Sequence, residues 1–251
     1  VHVLDLDLDF FLDCAPSRHP EGLRLDTEEG ESLYTPWDEE SFRRFLTTAC
    51  GLSTERKTPG RVVRHHDEAF YCWRELIRRE LLKTPFVISH VDSHSDLGMG
   101  DTSHVYIMGE LLHRPVEQRW VPDRTKVTPG SYLSYVAACR WPSRIEFVRH
   151  PSHHEDRPPH WFRDHDLSTD LLELQCCDLA DMQWRASHGG NPSRSRPLWL
   201  EPPIPVVFSD YCWDYRVPEP VDFVVLAQSP DYTPTAADHL ISVFREYIVE
   251  D

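Results

Sequence analysis

The chain has 251 residues, a formal charge of −16 and a hydrophobic fraction of 40%. At this length a fold hides roughly 70–75% of the unfolded surface, so there is a real core in one large domain or two small ones. The acidic balance argues against a nucleic-acid partner, which needs clustered Lys and Arg; it suits a cationic substrate or plain solubility, and no apolar run approaches the ~20 residues of a membrane span.

The first segment, VHVLDLDLDFF, alternates at period two. Val1, Val3, Asp5, Asp7 and Asp9 share one face and Leu4, Leu6 and Leu8 the other, which predicts a strand with one leucine face in the core and one acidic face. The segment lacks the basic n-region of a signal peptide, and an opening at Val1 is the start expected where a short leader or tag has been trimmed. Residues 14–37 are rich in Pro, Gly and charge and read as a long loop. DEESFRRFLTTAC follows as a helix capped by Asp38, with Phe42, Phe45 and Leu46 on one side. GRVVRHH is a short strand. DEAFYCWRELIRRELLK is the clearest helix, with Phe70, Trp73, Ile77 and Leu81 at helical spacing. PFVISHVDSHSD is the next strand.

Residues 103–113 and 131–139 carry weaker helical patterns, and RIEFVRH reads as a strand. PSHHEDRPPHWFRDHD and ASHGGNPSRSRP are loops by composition, with His153 and His154 expected in a solvated stretch. VDFVVLAQSP is a last buried strand. TAADHLISVFREYI closes the chain as an amphipathic helix on Leu240, Val243, Phe244 and Tyr247. Strands alternating with helices indicate an α/β fold around a mainly parallel sheet. No linker divides the chain, so residues 1–251 are expected to form a single three-layer α/β/α domain.

The seven cysteines form no CxxC pair, which argues against a zinc finger and fits reduced thiols in a cytoplasmic protein. Chemistry concentrates elsewhere. In an open parallel sheet, ligands bind beyond the carboxyl ends of the strands. Three strand ends carry acids or histidines: Asp5, Asp7 and Asp9; His65 and His66; Asp92, His94 and Asp96. Residues i and i+2 on a strand point the same way, so D-x-D and D-x-H-x-D each aim pairs of donors into one space. Carboxylates gathered there repel one another unless a cation lies between them. The donor set is oxygen-rich, contains imidazole and lacks thiolate, which favours Mn²⁺ over Zn²⁺ or Fe²⁺.

These motifs resemble a known family. VDSHSD is similar to the D-x-H-x-D signature of the ureohydrolases, the arginase and agmatinase superfamily; DLDLDFF is similar to their D-x-D strand, and VVRHHDEA to a short segment supplying one more ligand. The nearest resemblance is to a divergent branch with DLDFF, HxEx and DSHxD segments, which includes the peptide arginases of ribosomal peptide maturation. GSYLSYV, RIEFVRHP and VVLAQSPDYTP also look like segments of that branch, so the resemblance touches most of the chain, although only the metal motifs are specific. It implies an arginase-like fold with two Mn²⁺. His66, Asp92, Asp96 and Asp7 would hold one ion, and Asp92, His94, Asp7 and Asp9 the other, with Asp92 and Asp7 bridging. His66 is preferred to His65 because it stands two before Glu68, as in the branch. A shift by two along the strand would make Asp5 and Asp7 the ligands instead.

The order of the metal-binding strands departs from the arginases, since D-x-D here precedes D-x-H-x-D. The glutamate expected to hold the guanidinium near FVVLAQSP is also missing; Ala227, Gln228 and Ser229 stand there, and Asp231 is the nearest acid. The implied function is hydrolysis of peptide-borne arginine to ornithine and urea, with a precursor peptide as substrate and Asp96 orienting the nucleophile; His104, shortly after the metal acids, is a candidate proton shuttle. The loops at 14–37, 151–166 and 186–198 are its expected walls. A deacetylase-like hydrolase on the same fold and a non-catalytic peptide-binding module are the alternatives.

Overall fold

The alternation of the N-terminal segment becomes β1 (His2–Asp7) in the computed structural model, which describes residues 1–16, 24–26, 33–210 and 212–250. Residues 17–23 and 27–32 of the expected 14–37 loop lie outside the described residues. The other strands are β2 (Thr58–Val63), β3 (Phe86–Asp92), β4 (Pro142–Arg149), β5 (Leu171–Leu172), β6 (Gln175–Cys177), β7 (Pro197–Leu200), β8 (Ile204–Ser209), β9 (Phe223–Ala227) and β10 (Ile248–Glu250). Eight of them make one sheet in the order β10-β2-β9-β1-β3-β4-β8-β5, parallel throughout except for β5 against β8. β6 and β7 pair separately as an antiparallel ribbon. The fold is a three-layer α/β/α arrangement.

β1 lies at the sheet's centre between β9 and β3, so its acidic face is covered as its leucine face is. Every residue from His2 to Asp7 is buried. Leu4, Leu6 and Leu8 pack under the layer containing α1 (Glu39–Arg44), as expected. Val3 belongs to the opposite layer, which contains α2 (Glu68–Arg78) and α3 (Tyr132–Ala138). Asp5, on Val3's side, is therefore a carboxylate embedded in an apolar layer. The strand stops at Asp7, which caps a 3-10 turn over Leu8–Phe11, so Asp9 leaves the strand's register.

Asp38 caps α1 by accepting the Ser41 N–H at 2.8 Å, and the helix runs on through a wider turn over Phe45–Ala49. α2 is shorter than its apolar pattern. It ends in a Schellman motif: Leu81 N–H reaches the Leu76 carbonyl at 2.9 Å and Glu80, at φ 59°, takes the left-handed position usually given to glycine. Leu81 is thereby 60% exposed, and Leu76 and Leu82 fill the core instead. Trp73 and Phe70 stay fully buried; apolar side chains buried this completely are worth roughly 1.5–3 kcal/mol each.

α4 (Leu179–Ser187) and strands β5 to β8 arise from segments without a clear period; β8 carries Pro205 within it. The closing segment divides into a 3-10 turn (Thr235–Asp238), α5 (His239–Phe244) and β10, although Leu240, Val243, Phe244 and Tyr247 are all buried as the pattern requires. Among the described residues no helix is long and apolar enough to cross a membrane.

Candidate metal centre

The carboxyl ends of β1, β2 and β3 converge on one buried group. Asp92 ends β3 itself, and His94 and Asp96 follow in the loop. His66 lies in the turn between β2 and α2. Asp7 ends β1 and Asp9 follows in the 3-10 turn. The six residues expected as ligands are thus brought together, with His66, Asp7, Asp9, Asp92 and Asp96 all buried and His94 half-buried.

The Nδ1 atom of His66 carries the decisive geometry. It lies 3.0 Å from Asp7 Oδ2, 3.0 Å from Asp92 Oδ2 and 2.9 Å from Asp96 Oδ2. One ring N–H serves one acceptor well, and here His66 Nδ1, Asp92 Oδ2 and Asp96 Oδ2 are fully buried without a properly directed hydrogen bond. Donor atoms ~2.1 Å from a divalent ion, at right angles about it, stand ~3.0 Å apart. The spacing is that of ligands around a cation, and the residues fit one. The other ring nitrogen, Nε2, faces Asp5 Oδ1 at 3.2 Å, so a metal-bound His66 would have a carboxylate to take its remaining N–H.

A second group adjoins the first. Asp9 Oδ2 lies 2.9 Å from His94 Nδ1, and Asp92 Oδ1 lies 3.7 Å from it. Asp9, Asp92 and His94 offer donor atoms that could hold a metal ion, as do Asp7, His66 and Asp92. Asp92 divides its two oxygens between the groups. Asp7 is held at both oxygens: Oδ1 accepts the Asp9 N–H at 2.9 Å, and the Ser229 hydroxyl donates to Oδ2. Ser229, at φ 47°, stands on the loop after β9 where the resemblance places a substrate-binding acid.

Asp5 sits behind the His66 group. His90 Nδ1 lies 3.0 Å from Asp5 Oδ2, and the Tyr132 hydroxyl donates to the same oxygen. Burial opposes ionisation of Asp5, but the charge of His66 and the hydrogen bonds of both histidines outweigh it and hold the carboxyl down at about 2. Burial also works against a charged His90; its Asp5 hydrogen bond and the Asp92 charge lift it to about 9. Asp9 is the donor near the second group, and Asp5 faces His66 and His90, a trio whose donor atoms could also hold a metal ion. His90 and Tyr132 were not expected. His90 extends the alternation of the motif to H-x-D-x-H-x-D, a signal visible in the sequence; Tyr132 comes from α3 and has no local signal.

Asp96 shows what the cluster does without a cation. Burial first, then the Asp92 charge, raise its carboxyl to about 7. Its backbone is left-handed at φ 50°, and its carbonyl accepts the Leu133 N–H at 3.2 Å. Coordination requires the ionised form, so an ion must displace that proton below pH ~7. Divalent-metal affinity is expected to rise with pH through 7, by up to about tenfold per pH unit for each proton the ion displaces. Titrations across pH 6–8, with proton release measured in two buffers, check this; affinity that falls with rising pH would reverse the sign.

The cleft above the group has a volume of about 340 Å³ and is lined by His94, Asp96, Met99, Gly130, Asp156 and Tyr232, among others. A second hollow of about 740 Å³ shares Met99, Gly130 and Tyr232 with it and is walled by His65, Asp67, Asp101 and Asp231. Asp231 lines the neighbouring hollow, which Tyr232 joins to the wall beside His94. His104 packs its ring on His160 at a centroid distance of 4.7 Å, and no hydrogen bond, ion pair or ring contact joins it to the six ligand residues. The proline-rich 151–166 loop is more than a solvated stretch, since His154 and Asp156 line the cleft.

No protein-family model matches the chain, and comparison with curated proteins and with solved structures finds no match.

Proposed function

We propose that the chain is a dimanganese hydrolase acting on the guanidinium of arginine within a peptide and yielding ornithine and urea. The observation that carries this reading is the ring of Asp7, Asp92 and Asp96 oxygens within 3.0 Å of His66 Nδ1, beneath a cleft that Asp96 lines. His66, Asp7, Asp92 and Asp96 would hold one ion, and Asp9, His94 and Asp92 the other, with Asp92 shared. Bound there, the ions supply a water activated at neutral pH and an electrophile for developing negative charge.

The chain's own residues do the rest. Asp5 and Tyr132 keep His66 aimed, and Ser229 and the Asp9 backbone fix Asp7. Asp96, which also lines the cleft, orients the attacking water. Water adds to the guanidine carbon and the C–N bond to the side chain breaks. The amine leaves with a proton as ornithine, and the remaining carbon leaves as urea. A net charge of −16 favours capture of a cationic substrate over a neutral one.

Manganese-loaded protein is expected to release one urea for each arginine lost from a peptide, with ornithine at that position in its fragmentation spectrum. Acetate release from acetylated lysine, with no urea, would move the assignment to a deacetylase-like hydrolase.

A further inference from the structure

We propose that Asp156 binds the positive charge of the substrate side chain beside the metal centre. That the charge is a guanidinium rests on the hydrolase reading above; that the subsite takes a cation does not.

Asp156 belongs to the loop after β4, far in sequence from the ligand motifs, yet it is clamped to one of them at two points. Its Oδ2 accepts the Ser95 N–H at 2.8 Å, and its carbonyl accepts the Ser95 hydroxyl at 3.1 Å. Ser95 stands between His94 and Asp96, so the clamp sets Asp156 in the same wall as those two donors. Ser95 is its one hydrogen-bond partner among the described residues. The nearest arginine in sequence, Arg157, turns away: its guanidinium is bound by Glu155 and lies 4.2 Å over the Phe208 ring.

A partly buried carboxylate next to further acids is costly unless a cation meets it. Burial leaves this carboxyl raised, although the Ser95 hydrogen bond and the His94 charge pull it down; the Asp92 charge adds to the rise. Tyr232 supplies an aromatic wall, its ring 5.0 Å from that of His94. A flat cation between a carboxylate and an aromatic face is a favourable arrangement for a guanidinium and also accepts an ammonium. Asp231, the acid suggested by sequence, lines the adjoining hollow instead.

The test is calorimetric binding of N-acetyl-lysine amide and N-acetyl-norleucine amide to manganese-loaded protein. Lysine keeps the cation and offers no guanidine carbon to hydrolyse; norleucine is its neutral counterpart. Wild type is expected to prefer the lysine ligand by about tenfold or more, the worth of a charge-assisted hydrogen bond. Asp156→Asn, which keeps an acceptor for Ser95, is expected to erase the preference with metal content unchanged, and Asp231→Asn to retain it. The proposal is overturned if wild type shows no preference, if Asp156→Asn retains it, or if Asp231→Asn alone removes it. Urea assays on the same samples separate the two readings. A preference dependent on Asp156 without urea sinks the hydrolase and keeps the subsite; urea with the preference intact in Asp156→Asn does the reverse.

Discussion

Asp92→Asn is expected to weaken manganese binding by about 10³-fold or more and to abolish urea release, while the far-ultraviolet spectrum stays that of the folded chain. Asp92 is the residue whose oxygens face both groups, Oδ2 toward His66 at 3.0 Å and Oδ1 toward His94 at 3.7 Å. An amide removes a charge shared by two sites and turns either a weak ligand or an N–H donor toward cations. A loss of ~4 kcal/mol, modest for a ligand in two metal sites, is already a factor of ~10³. Asp92 also ends a strand that pairs with β1 as far as Val91 and with β4 at Asp92 itself, so the backbone that places it is held independently of the side chain. Near-normal metal content in this variant, measured after dialysis, would remove Asp92 from the centre.

The second large effect is on stability. Stripping the protein with a chelator is expected to lower its melting temperature by about 10 °C relative to protein with manganese at ~1,000 times its dissociation constant. Such an excess stabilises by ~4 kcal/mol, and in a chain of this size each kcal/mol shifts the midpoint by ~2–4 °C. The structural cause is the packing of Asp7, Asp9, Asp92 and Asp96 at almost no exposure. Burial and the charges of Asp7 and Asp92 push the Asp9 carboxyl well up, so without a cation the cluster costs the fold energy. Scanning calorimetry with and without chelator measures the shift. Equal midpoints would mean that no ion binds the folded chain preferentially.

Much of the site was legible because period two survives from sequence to strand. Asp92, His94 and Asp96 sit where β3 ends, and the leucines of β1 fill one layer. The same rule overreached at Asp9, because a turn capped by Asp7 breaks the alternation and swings Asp9 to His94. Asp5 could not be separated from the ligands by spacing alone. Its surroundings emerge only when α3 brings Tyr132 over it and β3 brings His90 beside it. Asp156 was hidden for a similar reason: its place is set by a contact 61 residues away in sequence, with Ser95. In the fold, Leu81 fell on the helical face by spacing, but α2 ends without a glycine to announce it. β8 was obscured by its proline, which the pairing of Leu171 with Pro205 accommodates beside a two-residue edge strand.

The central claim is that this cluster is a two-ion centre. The most direct test is elemental analysis of the purified chain after manganese reconstitution and exhaustive dialysis, alongside Asp92→Asn. The account requires about two manganese ions per wild-type chain and a clear loss in the variant. No stoichiometric metal in wild type under any reconstitution would contradict it.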